Sequence, residues 1–262
     1  MYGTSAAGSI AVRLNLIWTL MWHSFVPRSQ RDGVQLFWVF VEPAAQLAVL
    51  MVLFSVIGRA AGYGTSFALF LLTGIAVLNL YTSTSSAVMG AVKNLGHPRR
   101  IATVGMFAPA LAAVGFRFTV GVVSSLLLGA GVLHWQRLHG VPADILACVE
   151  AFAVVALLGF GIGLLRGYSV LFLPTVERVY SILSRSLLFI SGVFYVPSFL
   201  PPEFRGWLAW NPVLHAIDWF RTGVYAGYPD LVLSRFYLGA VVLVSIALGM
   251  ALIWHDRRRI LE

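Results

Sequence analysis

Apolar runs of bilayer length alternate with short polar breaks along most of this chain. A helix that crosses a bilayer needs about 20 mostly apolar residues, and six segments provide them: 34–58, 67–87, 104–133, 145–165, 179–196 and 236–254. They predict an all-α integral membrane fold with six transmembrane helices. The first apolar stretch, "IAVRLNLIWTLMWHSF", is shorter and divided by face. Asn15, Thr19 and His23 recur at helical spacing on one side, and Ile10, Leu14, Ile17, Met21 and Phe25 on the other. That pattern predicts an N-terminal amphipathic helix over 9–26 lying in the interface plane, with a seventh span as the alternative.

The segment "SFLPPEFRGWLAWNPVLHAIDWF", between the fifth and sixth spans, is apolar but broken. Pro201 and Pro202 cannot continue a helix begun before them. Glu203 then falls in the first turn of a new helix, where an acid meets the positive dipole end. Asn211 is a good N-cap and Pro212 a good first-turn residue for a second helix. Two half-length helices in series cannot cross about 30 Å. They predict a re-entrant pair over 200–228 that frames a vestibule and carries Trp207, Trp210, His215, Asp218 and Trp219. One membrane domain, 1–262, accounts for the whole chain, with its six-span bundle over 34–258.

Composition strengthens the membrane assignment: 59% of the 262 residues are hydrophobic and 11% charged, against about 25% charged in a soluble domain. The formal net charge of +8 comes from 17 Arg and a single Lys. Either the guanidinium forks serve an acidic ligand, or the coding sequence simply favours Arg. The placement of the charges carries more. With the N-terminus inside, twelve basic residues fall on the cytoplasmic side and five outside, Arg221 among the five. That bias puts both termini in the cytoplasm and the broken segment on the outer face. The lone Cys148 cannot form an intramolecular disulfide and reads as a small core residue.

No enzyme signature emerges: no phosphate-binding GxxxxGK[ST] loop, no G-x-S-x-G elbow and no metal-ligand spacing. The chain therefore reads as neither an enzyme nor a cofactor carrier. The glycines of "GFGIGLLRG" (159–167) lie inside an apolar span and read as close helix packing. Two ionisable residues within spans, Glu42 before Pro43 and Arg117, mark either a polar pathway, in which Arg117 meets an anionic substrate, or internal pairing. Phe37, Trp38, Tyr81 and Tyr195 belong either to an interfacial aromatic belt or to a sugar-stacking channel. The basic loop "GAVKNLGHPRRIAT" between spans two and three reads either as a docking element, over Val92, Lys93, Asn94, Leu95, Gly96, His97, Pro98, Arg99 and Arg100, or as ordinary positive-inside charge.

This order of elements, with "FWVFVEPAAQLAVLMVLFSVIGR", "SFALFLLTGI", "VERVYSILSRSLLFISGVFY" and "LPPEFRGWLAWNPVLHAIDWFR", resembles the permease subunits of type-2 ABC exporters, and within them the capsular polysaccharide branch. The resemblance implies a homodimer working with two copies of a separate ATPase, which would bind ATP and Mg. It also implies a lipid-linked, acidic polysaccharide as cargo across the bacterial inner membrane. A periplasmic co-polymerase and an outer-membrane channel would continue the route; nucleic acid plays no part. An O-antigen or teichoic acid exporter, or a small-molecule exporter, is the alternative.

Overall fold

Polar caps set where the long helices start. In the computed structural model, which describes residues 33–58, 62–95, 106–137 and 142–261, helix α2 (Phe67–Lys93) begins on Ser66, whose hydroxyl accepts from the Leu69 N–H at 3.1 Å. Asp144 caps α4 (Ile145–Phe172) through the Ala147 N–H at 3.1 Å. Ser234 caps α8 (Arg235–His255) through the Tyr237 N–H at 3.2 Å. Each such cap is worth about 1 kcal/mol; the uninterrupted apolar sequence behind it supplies the length. These three helices and α3 (Ala108–Trp135) are long and apolar enough to cross a membrane. Before them, α1 (Gly33–Ile57) has 25 residues and contains the apolar stretch Phe40–Val56. The expected interfacial helix over 9–26 lies outside the described residues.

The expected fifth span, 179–196, is not one helix. Helix α5 (Val176–Ile190) has 15 residues, about 22 Å at 1.5 Å per residue. The chain then turns, with Gly192 at φ +77°. The carbonyls of Gly192, Val193 and Tyr195 point at the Arg221 guanidinium instead of continuing a helical ladder. A 3₁₀ turn (Pro197–Phe199), α6 (Pro202–Leu208) and α7 (Pro212–Val224) follow. The breaks fall at the prolines as the sequence predicts, and the Asn211 side chain accepts from the Val213 N–H at 3.0 Å. A short basic helix, α9 (Arg257–Leu261), closes the chain.

Glycines hold the centre together. A Cβ on Gly163 of α4 would lie 2.7 Å from Val88 Cβ and 2.8 Å from the Ser85 carbonyl of α2, and one on Gly167 would lie 2.5 Å from Val92. On the other flank, Gly249 of α8 admits Leu164 at 2.7 Å. The close-packing reading of the glycine-rich run is thus correct. Residue numbers rise together across both contacts, so α2, α4 and α8 run parallel. Gly121 and Gly129 of α3 face Leu80 and Leu72 of α2, so α3 runs the opposite way. One apolar cluster, including Leu71, Ile75, Leu158, Ile217 and Leu238, fills the end where α2, α4 and α8 begin. A second, with Val88, Val92, Leu164, Ile253 and Ile260, fills the end where they finish. There Tyr168 donates to Asp256 at 2.6 Å, tying α4 to the segment before α9.

Gly163→Ala is expected to lower the thermal midpoint of the full chain in detergent, because overpacking a tight contact costs about 1–3 kcal/mol. Gly131→Ala on α3 meets nothing within 4 Å and is expected to leave the midpoint unchanged or slightly raised. Equal midpoints for the two variants would remove the packing argument.

Candidate functional site

Three helices bring polar faces to one cleft. Glu42 and Gln46 lie one turn apart on α1, Asn79, Thr82 and Ser86 share a face of α2, and Glu177, Ser181, Ser184 and Arg185 share a face of α5. Together with Leu78, Met89, Arg166, Leu188 and Phe189 they line a cavity of about 780 Å³. The Asn79 amide donates to Gln46 at 3.1 Å and holds two of these walls in register. Helix α5 is strongly amphipathic, and its opposite face exposes Val179, Ile182 and Leu183. Arg166 of α4 is 7% exposed. It donates to Ser85 Oγ at 2.8 Å, and its guanidinium stands 5.2 Å from the Tyr180 ring centroid.

A second cavity, of about 310 Å³, opens on the other side of α2, toward α3. Arg117 lines it with Glu42, Asn79, Thr82, Ser83, Ser86 and Ser124. Glu42, Asn79, Thr82 and Ser86 line both cavities, so α1 and α2 form the partition. Arg117 is half-buried. Glu42 acts on it electrostatically, yet among the described residues Lys93–Glu177 is the sole ion pair within 4 Å, at 3.4 Å.

The broken segment at the opposite end is a brace more than a lining. Arg221, whose sequence position suggests an outer surface charge, is 0% exposed. It donates to the carbonyls of Gly192 (2.7 Å), Val193 (3.0 Å), Tyr195 (3.2 Å) and Phe70 (3.3 Å), and to Thr73 Oγ1 (3.2 Å). Asp218, also fully buried, accepts from the Tyr228 hydroxyl at 2.9 Å through Oδ1, while its Oδ2 has no partner. Burial pushes this carboxyl up to about 7, against the pull of the Arg221 guanidinium. His215 bonds the Ala209 carbonyl through Nε2 at 2.8 Å and accepts the Ser234 N–H at Nδ1 at 3.1 Å, so α7 is pinned both to α6 and to the start of α8. Trp219 is 9% exposed and packed in the core, with Arg235 over its ring at 4.9 Å. Trp207 and Trp210, in contrast, are 83% and 77% exposed. The residues expected to frame the vestibule therefore divide into buried braces and outward-facing aromatics. Tyr195 takes part through its carbonyl, and Tyr81 packs against the apolar core. The half-buried Cys148 rests against α7 at Phe220.

The expected docking loop starts later than the sequence suggests. Helix α2 runs on to Lys93, and Val92 and Leu95 are core residues at 2% and 5% exposure. That leaves Lys93 and Asn94 at the surface, Lys93 already engaged with Glu177. Gly96, His97, Pro98, Arg99 and Arg100 lie outside the described residues, as do the side chains of Phe37 and Trp38. No cluster that could hold a metal ion occurs among the described residues. Arg166 and Arg221, which the sequence presents only as markers of a membrane side, are buried donors within the fold. Both sit inside apolar helical pattern, Arg166 within the glycine run and Arg221 three residues after Asp218, and that context was the available signal.

Residues 15–225 match the family of ABC-2 type transporters. The chain is also similar to the polysialic acid transport protein KpsM of Escherichia coli, 26% identical over 82% of this chain and 83% of the relative. It is 22% identical to the capsule polysaccharide export inner-membrane protein CtrC of Neisseria meningitidis, over 97% of this chain and 95% of the relative. The capsule polysaccharide export inner-membrane protein BexB of Haemophilus influenzae is 24% identical, over 94% and 91%. The family match covers most of the chain, which belongs to the ABC-2 type transporters.

Proposed function

We propose that this chain is the membrane subunit of an ATP-driven exporter that moves a lipid-linked, acidic capsular polysaccharide across the inner membrane. Its likeness, over 82% to 97% of its length, to three proteins named for capsule or polysialic acid transport carries the reading. The cleft between α1, α2 and α5 supports it: hydroxyls, amides and two guanidiniums offer hydrogen bonds to a sugar chain and charge to its acids. ATP hydrolysis belongs to a separate ATPase.

Both termini are cytoplasmic, which puts the larger cavity and the polar end of the smaller one in the inner-leaflet half and the α6–α7 pair in the outer leaflet. Exposed Glu42 and the open cleft cannot face acyl chains. A second copy of the chain covers them, giving a homodimer with the glycan route at its axis. The loop after α2, at Asn94 and the residues that follow, receives the ATPase; a co-polymerase and an outer-membrane channel take the product onward.

The test is an in-frame deletion in the native host, with surface and intracellular polysaccharide measured separately. Glycan retained inside and missing from the surface is the expected result. Absence of glycan from both compartments would place the chain in synthesis instead, and normal surface glycan would refute export of this cargo. Cysteine at Asn94 is expected to crosslink to the co-expressed ATPase.

A further inference from the structure

We propose that the cavity between α1, α2 and α3 binds the headgroup of a zwitterionic amine phospholipid, with Arg117 holding the phosphate and Glu42 the ammonium. The inference rests on the orientation proposed above, not on the identity of the cargo.

The first support is charge. A guanidinium within a span is costly unless an anion, backbone carbonyls or water meet it, and no described carboxylate lies in salt-bridge range of Arg117. Glu42 lines the same cavity and acts on Arg117 without closing on it. An anion alone would leave Glu42 repelling it, and a neutral sugar would leave Arg117 uncompensated. A group carrying phosphate and ammonium a few bonds apart answers both charges, and the guanidinium fork suits phosphate.

The second support is the gradient along the cavity. From the end of α2 inward, its wall runs Ser86, Ser83, Thr82, Leu80 and Asn79, and then Ala76, Ile75 and Leu72. Helix α3, running the other way, goes from Arg117 through Val120, Gly121 and Ser124 to Leu128, so the charge lies at one end. The cavity is thus polar at one end and apolar at the other, the shape of an amphiphile. In the proposed orientation the polar end faces the inner leaflet, as a lipid there requires. Thr82 and Ser83 donate to carbonyls of their own helix (Leu78 and Leu80), which leaves their lone pairs free for an ammonium. A glycan would have no use for the apolar half.

The permease–ATPase complex, exchanged against vesicles holding equal phosphatidylethanolamine, phosphatidylcholine and phosphatidylglycerol, is then analysed for retained lipid by native mass spectrometry. Phosphatidylethanolamine is expected to be retained, and phosphatidylcholine, whose capped amine cannot donate to Glu42, about tenfold less. Arg117→Ala is expected to lose both. Glu42→Gln is expected to abolish the preference between them, and Leu243→Ala, on an exposed face of α8 away from both cavities, to change nothing. If Arg117→Ala fails to assemble, Arg117→Gln replaces it. Unchanged retention in the Arg117 variant, or preferential retention of phosphatidylglycerol, overturns the site. Lipid retention is read without transport, so a complex that keeps the lipid but exports no glycan refutes the proposed function and leaves this site standing.

Discussion

Arg221→Ala is expected to leave the chain poorly folded, with its detergent melting midpoint lowered by about 10 °C and its level in the membrane reduced. The side chain is fully buried and donates hydrogen bonds to four backbone carbonyls and one hydroxyl drawn from α2 and from the turn after α5. It also stacks 3.8 Å from the Phe70 ring centroid. The carbonyls of Gly192 and Val193 would lose their donor, while that of Phe70 keeps the Thr73 hydroxyl at 2.7 Å. Each buried acceptor left unmade costs about 1–3 kcal/mol, and partial relaxation leaves a net loss on the order of 3–5 kcal/mol. The turn that ends α5 would also lose its reason to turn, because those carbonyls close on Arg221 and not on a helical ladder. Arg221→Lys keeps the charge but offers its donors from one nitrogen without the planar fork. It is expected to fall between the native chain and Arg221→Ala. A midpoint within about 2 °C of native for Arg221→Ala would mean that other groups hold the turn.

The same residue shows where the sequence was readable. Breaks and caps are local chemistry, so Pro201, Pro202, Asn211 and Pro212 could be placed without coordinates, and Ser66, Asp144 and Ser234 stand where the long helices start. Glycine spacing identified the close face of α4, since only a residue without Cβ admits Val88 and Val92 so near. What could not be read was the partner of each charge. The count of positive residues treats Arg166 and Arg221 as markers of a membrane side, while their acceptors come from segments distant in the chain, Ser85 for one and Phe70 for the other. The fifth span failed for the same reason. Its apolar content was sufficient, but α5 pairs an apolar face with a polar one, and its end is fixed by a residue on α7. The sequence alone marks Glu42 and Arg117 as intramembrane charges. That they share a cavity with each other, and that only Glu42 also reaches the larger cleft, depends on how α1 lies against α2.

Filling the larger cleft is expected to abolish export while sparing assembly. Ser184 lies on the polar face of α5 and lines the cavity with Ser181 and Arg185. No described residue packs tightly enough on α5 to bury any of its side chains. Ser184→Trp therefore adds an indole to open space and leaves the core undisturbed. Surface polysaccharide is expected to fall to background with normal membrane level and normal ATPase association, while glycan accumulates inside. Leu243→Trp, on a face of α8 where Leu243 is 71% exposed, adds the same ring away from the cleft and is expected to export normally. Charge can be separated from bulk at the neighbouring position. Arg185→Glu places a carboxylate where an acidic chain would pass, and like charges brought together cost several kcal/mol, so export is expected to drop about tenfold or more. Arg185→Lys preserves the sign and is expected to retain most of it. If Ser184→Trp exports normally at normal level, the glycan does not run between α1, α2 and α5. If only Arg185→Glu fails, the route stands, and it is the charge of the cargo more than the width of the cleft that governs passage.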